Sequence, residues 1–271
     1  IDFADSPVAD CRLTAEGAGG RVGKIAIKAR YNLGSRSLNA DLDGLRADIS
    51  YWTKYPIRLN FMNVPSGRAD VRAHLSMAGA GKPLRYTGEF LIDNAAVRLN
   101  KMRRPAKQVS GLVKLTDKEF TLALRARLDS SPVRISGRVI GLKGSRLALD
   151  VLSERANLRE LANLASVAVP KGMVLPTTGR AHASISGPAV RPTVVFRVDA
   201  PTLAYNGLSG TNLRVEGTYA LQRAAIRSVT GRMYGGTVEA SGEFGWGRNA
   251  GISLHGSASG VRLSQVPSLK G

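Results

Sequence analysis

Three histidines (His74, His182 and His255), the single cysteine Cys11, and two carboxylates in matching contexts (Asp41 and Asp150) are the side chains best suited to chemistry here. Imidazole and carboxylate can move protons or ligate metal, and a thiolate can attack an electrophile. Each histidine falls on the polar phase of an alternating run, and none has a partner at metal-ligand spacing. They read as solvated surface histidines. Cys11 has no base near it in sequence and reads as an inert thiol; alone, it cannot form an internal disulfide, which leaves the compartment open. Asp41 and Asp150 recur with an internal repeat, which favours a turn or capping role over acid-base work. Gly17-Ala-Gly-Gly20 and Gly141-Leu-Lys-Gly-Ser145 are the nearest approaches to phosphate loops. Neither ends in Gly-Lys-Ser/Thr before a helix, so both read as turns. The expectation is a protein that is not an enzyme, with no catalytic residue, no metal site and no cofactor.

The elements that would carry these side chains are strands. At 271 residues and 43% hydrophobic content the chain can bury a sizeable surface, and 30 glycines with 12 prolines suit many short strands joined by turns. Alternation with period two recurs throughout. In residues 120–128, Phe120, Leu122, Leu124, Ala126 and Leu128 share one face, with Arg125 and Arg127 on the other. Ile25 and Ile27 alternate with Lys24 and Lys28, and Val71 and Leu75 with Arg72 and His74. The pattern continues with Val133 and Ile135, Leu147 and Leu149, then Val194, Phe196 and Val198, then Leu213 and Val215, with Val238 in the last run. These seventeen positions, from Ile25 to Val238 and without Phe120 and Ala126, are the candidate lining of an apolar face. Turn signals at 32–34, 129–132, 141–144, Asn206 with Gly207, and Gly235 with Gly236 leave room for roughly 20 strands at a spacing of ~8 to 12 residues.

One segment breaks the alternation. Residues 154–167 place Leu158, Leu161, Leu164 and Ala165 at helical spacing, with Ser153 as the expected N-cap and Pro170 beyond the end. A weaker counterpart occupies 48–55, ended by Pro56. Each follows one of two windows that align without a gap, 38–49 over 147–158, matching Asp41 with Asp150 at an offset of 109 (150 − 41). Gly67-Arg-Ala then matches Gly179-Arg-Ala, Pro83 matches Pro192, and 131–139 resembles 236–244 at an offset of 105 (242 − 137). We read one continuous fragment, 1–271, with repeat units at 1–45 (partial), 46–154 and 155–263. Such units cannot bury an apolar face alone. Roughly 20 strands about 4.8 Å apart would span about 95 Å, which suits a gutter better than a compact core. The expected fold is therefore all-β: an elongated, curled antiparallel sheet forming a repeating β-groove with an apolar inner face, plus one or two short helices.

The stretch 170–244 resembles the repeats of the AsmA and TamB family of Gram-negative envelope proteins, and the earlier repeat extends the likeness to most of the chain. The residues that carry it are the short helix with Leu158 and Leu161, the run from Gly179 to Gly187, Pro192, the run from Leu203 to Leu208, Leu213-Arg-Val215, and the run from Tyr234 to Gly242. The resemblance, closer to TamB, implies a periplasmic β-groove that carries phospholipid acyl chains between the inner and outer membranes. It also implies an N-terminal inner-membrane anchor, for which no segment is recognisable here, and an outer-membrane barrel protein of the TamA type as a partner. No signal peptide and no apolar run of about 20 residues is visible.

Charge alone is less selective. With 39 basic and 20 acidic residues the formal net charge is +19, which predicts attraction to polyanions or anionic membrane surfaces. The basic residues are spread over many strands with few aromatics between them, against a nucleic-acid platform. An outer-membrane barrel should show aromatic girdles, which 6% aromatic content does not supply. A solenoid adhesin would repeat over a much shorter period. A structural envelope spacer or an outer-membrane protein assembly factor, without lipid cargo, shares the expected fold and is the rival reading.

Overall fold

The computed structural model describes residues 8–16, 23–52, 62–99, 104–141, 144–164, 169, 171–221, 223–245 and 251–266. The chain is all-β with short helical turns. In order the elements are β1 (Val8–Glu16), β2 (Lys24–Asn32), β3 (Ser37–Asp48), α1 (Ile49–Trp52), β4 (Met62–Met77), β5 (Arg85–Leu99), β6 (Ala106–Thr116), β7 (Glu119–Leu128), β8 (Ser131–Ile140) and β9 (Arg146–Ser153). Then come α2 (Leu158–Leu164), β10 (Met173–Val174), β11 (Arg180–Pro188), β12 (Thr193–Tyr205), β13 (Leu208–Ala220), β14 (Arg223–Met233), β15 (Gly236–Gly245), β16 (Gly251–Ser259) and a 3-10 turn, Leu263–Gln265. The strands hydrogen-bond in chain order, with β10 set aside against β12; β1 and β16 end the order, so the sheet is open. The element order itself recurs. Among the described residues six strands, β4 to β9, separate α1 from α2, and, apart from the two-residue β10, six, β11 to β16, separate α2 from the 3-10 turn.

Among the described residues sixteen strands stand where roughly 20 were expected of the chain, and several run longer than their alternation suggests. β4 has 16 residues and β5 has 15. Bulges carry such strands through a change of phase. Arg46, Asn94, Gln108 and Asn212 adopt positive φ, each beside a register shift or an unpaired position. One extra residue restores the inward side chains beyond it. Gln108 and Asn212 sit in the same local pattern, flanked by buried Ala106 and Val109 in one case and buried Gly210 and Leu213 in the other.

Contacts divide the chain into two compact units, residues 1–126 with 137–143, and residues 127–136 with 144–271. In the first, α1 is capped by Asp48, whose Oδ1 accepts from the Ser50 amide at 2.9 Å. In the second, α2 begins at Leu158 rather than 154, and its cap is Asn157, whose Oδ1 accepts from the Glu160 amide at 3.2 Å. The expected cap, Ser153, instead completes β9 and donates to the Pro132 carbonyl at 2.8 Å. Asp48 and Asn157 are matched by the 109-residue offset (157 − 48), as are the buried residues before them, Ala47 and Ala156. Glycine follows suit. A Cβ on Gly67 would lie 3.2 Å from Ile49 Cδ1, and one on Gly179 would lie 3.0 Å from Leu158 Cδ1, so each helix rests its first side chain on a bare backbone. The ends expected for these helices at 165–167 and 53–55 lie outside the described residues, as do Gly17-Ala-Gly-Gly20 and residues 142–143 of the second glycine-rich stretch.

In the second unit α2 is also tied to the β7–β8 turn. Glu160 Oε2 accepts from the Ser130 amide and hydroxyl at 2.8 and 2.7 Å, and the Asn157 amide donates to the fully buried Ser131 Oγ at 2.9 Å. The hairpin turns there use Asn206 with Gly207 and Tyr234 with Gly235, all at positive φ. The second pair lies one residue earlier than expected, because Gly236 already begins β15.

Candidate functional site

Direct cross-strand partners point to the same side of a sheet, so the registers convert strands into rows. In the first unit one row reads Leu13, Ile27, Leu42, Ala73, Gly88 and Leu115, and the next reads Ile25, Gly44, Val71, Phe90 and Val113. In the second unit a row runs Leu149, Ile185, Val194, Tyr219, Ala224, Phe244 and Ile252. Its neighbour runs Val151, Ala183, Phe196, Gly217, Ile226, Gly242 and Leu254. A carboxylate, amide or basic group stands in none of them. Tyr86, next to Leu75 and Ala40, supplies a phenol at one margin.

Cover on this face is uneven along the strands. We call the end that carries α1 or α2 the helix end and the opposite one the far end. In the second unit Ala156, Leu158, Ala200 and Leu213 form a buried cluster against which Leu161, Leu175, Val198 and Leu203 pack. In the first unit Ala47, Ala69, Ala95 and Val109 are buried at the same end, with Val71 at mid-strand. Towards the far end the inward residues are half-buried or, as at Leu13, Tyr219, Ile252 and Leu254, exposed, and among the described residues no further helix or strand lies over them. Of the expected lining, Val71, Val133 and Leu213 are buried, Leu213 beneath α2. The rest are half-buried: Ile25, Ile27, Leu75, Leu122, Leu124, Leu128, Ile135, Leu147, Leu149, Val194, Phe196, Val198, Val215 and Val238. Leu42, Phe90, Leu115, Val151, Ile185 and Ile226 share the same rows, and their place on the apolar phase is legible in the alternation of the sequence.

The opposite face is exposed and charged. Asp199 accepts from Arg214 Nε at 2.8 Å and from Arg197 Nε at 3.2 Å, and Arg197 lies 3.8 Å from Glu216. Partial burial alone would raise the Asp199 carboxyl, but the two arginines outweigh it and hold the group below the usual aspartate range. Lys114 lowers Glu89 in the same way, chiefly by a hydrogen bond at 2.8 Å. Asp41 and Asp150 are not turn or capping residues. They stand mid-strand, Asp41 2.8 Å from His74 Nδ1, and Asp150 3.4 Å from His182 Nε2 while accepting from Ser184 Oγ at 2.6 Å. These pairs lie exposed on the strand surface. Among the described residues no group of three or more His, Cys, Asp or Glu is placed to hold a metal ion. Cys11 is exposed on edge strand β1.

No protein-family model, no curated protein and no solved structure matches this chain. Among the described residues no helix is long and apolar enough to cross a membrane.

Proposed function

We propose that this chain is a non-enzymatic lipid conduit whose far-end apolar surface shields phospholipid acyl chains. The observation that carries the reading is the run of aliphatic and aromatic rows over which no further element lies among the described residues, set against a mainly polar and charged opposite face. An acyl chain of ~16 carbons in water costs about 0.8 kcal/mol per CH2, or roughly 12 kcal/mol, and an apolar surface removes most of that barrier. Uniform Leu, Val, Ile and Ala lining lacks a deep polar pocket, which favours sliding over tight capture. The AsmA and TamB resemblance supports the same reading. It adds the periplasm as the site of action, an inner-membrane anchor outside this sequence, passage between inner and outer membranes, and a TamA-type barrel as a partner.

The test is photo-crosslinking with lipid extraction and native mass spectrometry, with probes at inward Leu124 and Phe196 and at outward Arg125. Lipid adducts at the inward positions alone are the expected result. An intact fold that captures no lipid from supplied membranes would reject the conduit and favour a structural spacer.

A further inference from the structure

The two ends of the strands differ in their turns as well as in their cover. At the helix end of the second unit the connections are tight and polar: Asp129 with Ser130, Asn206 with Gly207, Tyr234 with Gly235. At the far end four of the described turns expose an aliphatic residue close to an arginine, while the β6–β7 turn carries Asp117 and Lys118 instead. Val190 is 83% exposed and precedes Arg191; Leu221 is 72% exposed and stands two residues before Arg223. The first unit repeats the arrangement with Leu33, 46% exposed, before Arg36, and Leu84, 45% exposed, beside Arg85. Arg36, Arg85 and Arg191 have no acidic partner among the described residues, and Arg223 lies 3.9 Å from Glu243 in an exposed pair. A solvated turn gains nothing from an exposed aliphatic tip. An aliphatic group beside an uncompensated cation matches the boundary where a phosphate meets hydrocarbon.

Resting on the conduit reading, we propose that each unit holds phospholipid in one orientation, with acyl chains on the uncovered part of the apolar face and the headgroup phosphate at the far-end turns beside Arg36, Arg85, Arg191 and Arg223. The helix end is closed to a headgroup in the second unit, because Leu158 and Leu213 already fill the apolar face there. Arg155 and Arg159 stand exposed there, but a phosphate they held would find no open apolar face for its acyl chains. The far end offers both an open apolar surface and guanidinium groups, of which Arg36, Arg85 and Arg191 have no acidic partner among the described residues; a guanidinium binds phosphate oxygens in a two-pronged geometry.

The test offers the purified chain vesicles of phosphatidylglycerol carrying a photoreactive group either on the headgroup or near the tail. Labelled peptides are then mapped by mass spectrometry. The headgroup probe should label peptides containing Arg85 or Arg191 in preference to those containing Ser130 or Asn206, and the tail probe should label the strands of Phe196 and Ile226. Arg191→Gln with Arg223→Gln should cut headgroup labelling in the second unit about fivefold at low salt, while Arg125→Gln with Arg134→Gln, the same charge loss mid-strand, should not. Neither pair should alter labelling by an uncharged diacylglycerol tail probe. Equal headgroup labelling at both ends, or an equal loss in the control pair, would overturn the orientation and leave the conduit standing. Displacement of the headgroup probe by millimolar inorganic phosphate would reduce the turns to a simple anion site and overturn it as well. No tail labelling anywhere would remove the conduit reading together with this one.

Discussion

At the scale of single residues, the least expected side chain is Ser131. It is wholly buried, and its hydroxyl accepts the Asn157 amide at the start of α2. Ser131→Ala should leave that amide without an acceptor and cost about 1 to 3 kcal/mol in urea unfolding, while exposed Ser136→Ala should cost almost nothing. Asp199 makes a second, pH-dependent case. Its carboxyl is held below the ordinary range in the folded state, so its contribution is fully present above the unfolded aspartate pKa of about 3.9 and is lost as pH falls through the lower folded value. Asp199→Asn should therefore destabilise the chain at neutral pH by about 1 kcal/mol or less, the pairs being solvent-screened, with the gap to the parent protein closing below about pH 4. Unfolding curves at several pH values read this directly; a gap that widens on acidification would contradict it. The Asp41–His74 pair was beyond sequence reading for a related reason. Thirty-three residues separate its members, and only the β3–β4 register sets them opposite each other.

At the scale of elements, a glycine under an aromatic ring is the sharpest test of the inward packing. Gly217 lies opposite Phe196, and a Cβ there would sit 2.8 Å from Phe196 Cζ and 2.6 Å from the Ala225 carbonyl oxygen. The carbonyl belongs to the neighbouring strand and cannot yield cheaply, so Gly217→Ala should destabilise by about 1 to 3 kcal/mol in denaturant titration, against the usual gain on replacing a strand glycine. What was legible follows the same divide between local and tertiary causes. Alternation exposes the inward face wherever a strand is straight, as in β7 and β8. It loses phase at Arg46 and Gln108, residues whose types carry no turn signal and whose positive φ is imposed by pairing across the sheet. The helix near Leu158 could be read from spacing, but not its cap, since Ser153 and Asn157 are both good capping types and the Pro132 carbonyl decides between them. Nor could spacing reveal that α2 covers Leu213 while leaving Phe196 half-exposed.

At the scale of the whole molecule, the strand order has an energetic consequence. A sheet that pairs in chain order gives each strand only its sequence neighbours as hydrogen-bonding partners, apart from the short β10, so stability accumulates locally from strand to strand. Two compact units, each with its own buried apolar residues, should then unfold with their own free energies. Ala47→Asp places a carboxylate at a site only 1% exposed in the first unit, which costs several kcal/mol if the charge stays buried, and the response should be local melting. Hydrogen exchange should show lost protection in β3, β4 and β5, with β12 to β15 retaining theirs; the mirror change, Ala156→Asp, should melt α2 and its surroundings while β3 to β5 keep theirs. Global loss of protection from either substitution would show instead that the sheet melts as a single cooperative body. Localised loss also bears on lipid carriage, because an acyl chain can be carried by any unit whose apolar rows survive. Tail-probe labelling at Phe196 should therefore persist in Ala47→Asp and vanish in Ala156→Asp only to the extent that Val198 and Leu203 lose the helix they pack against.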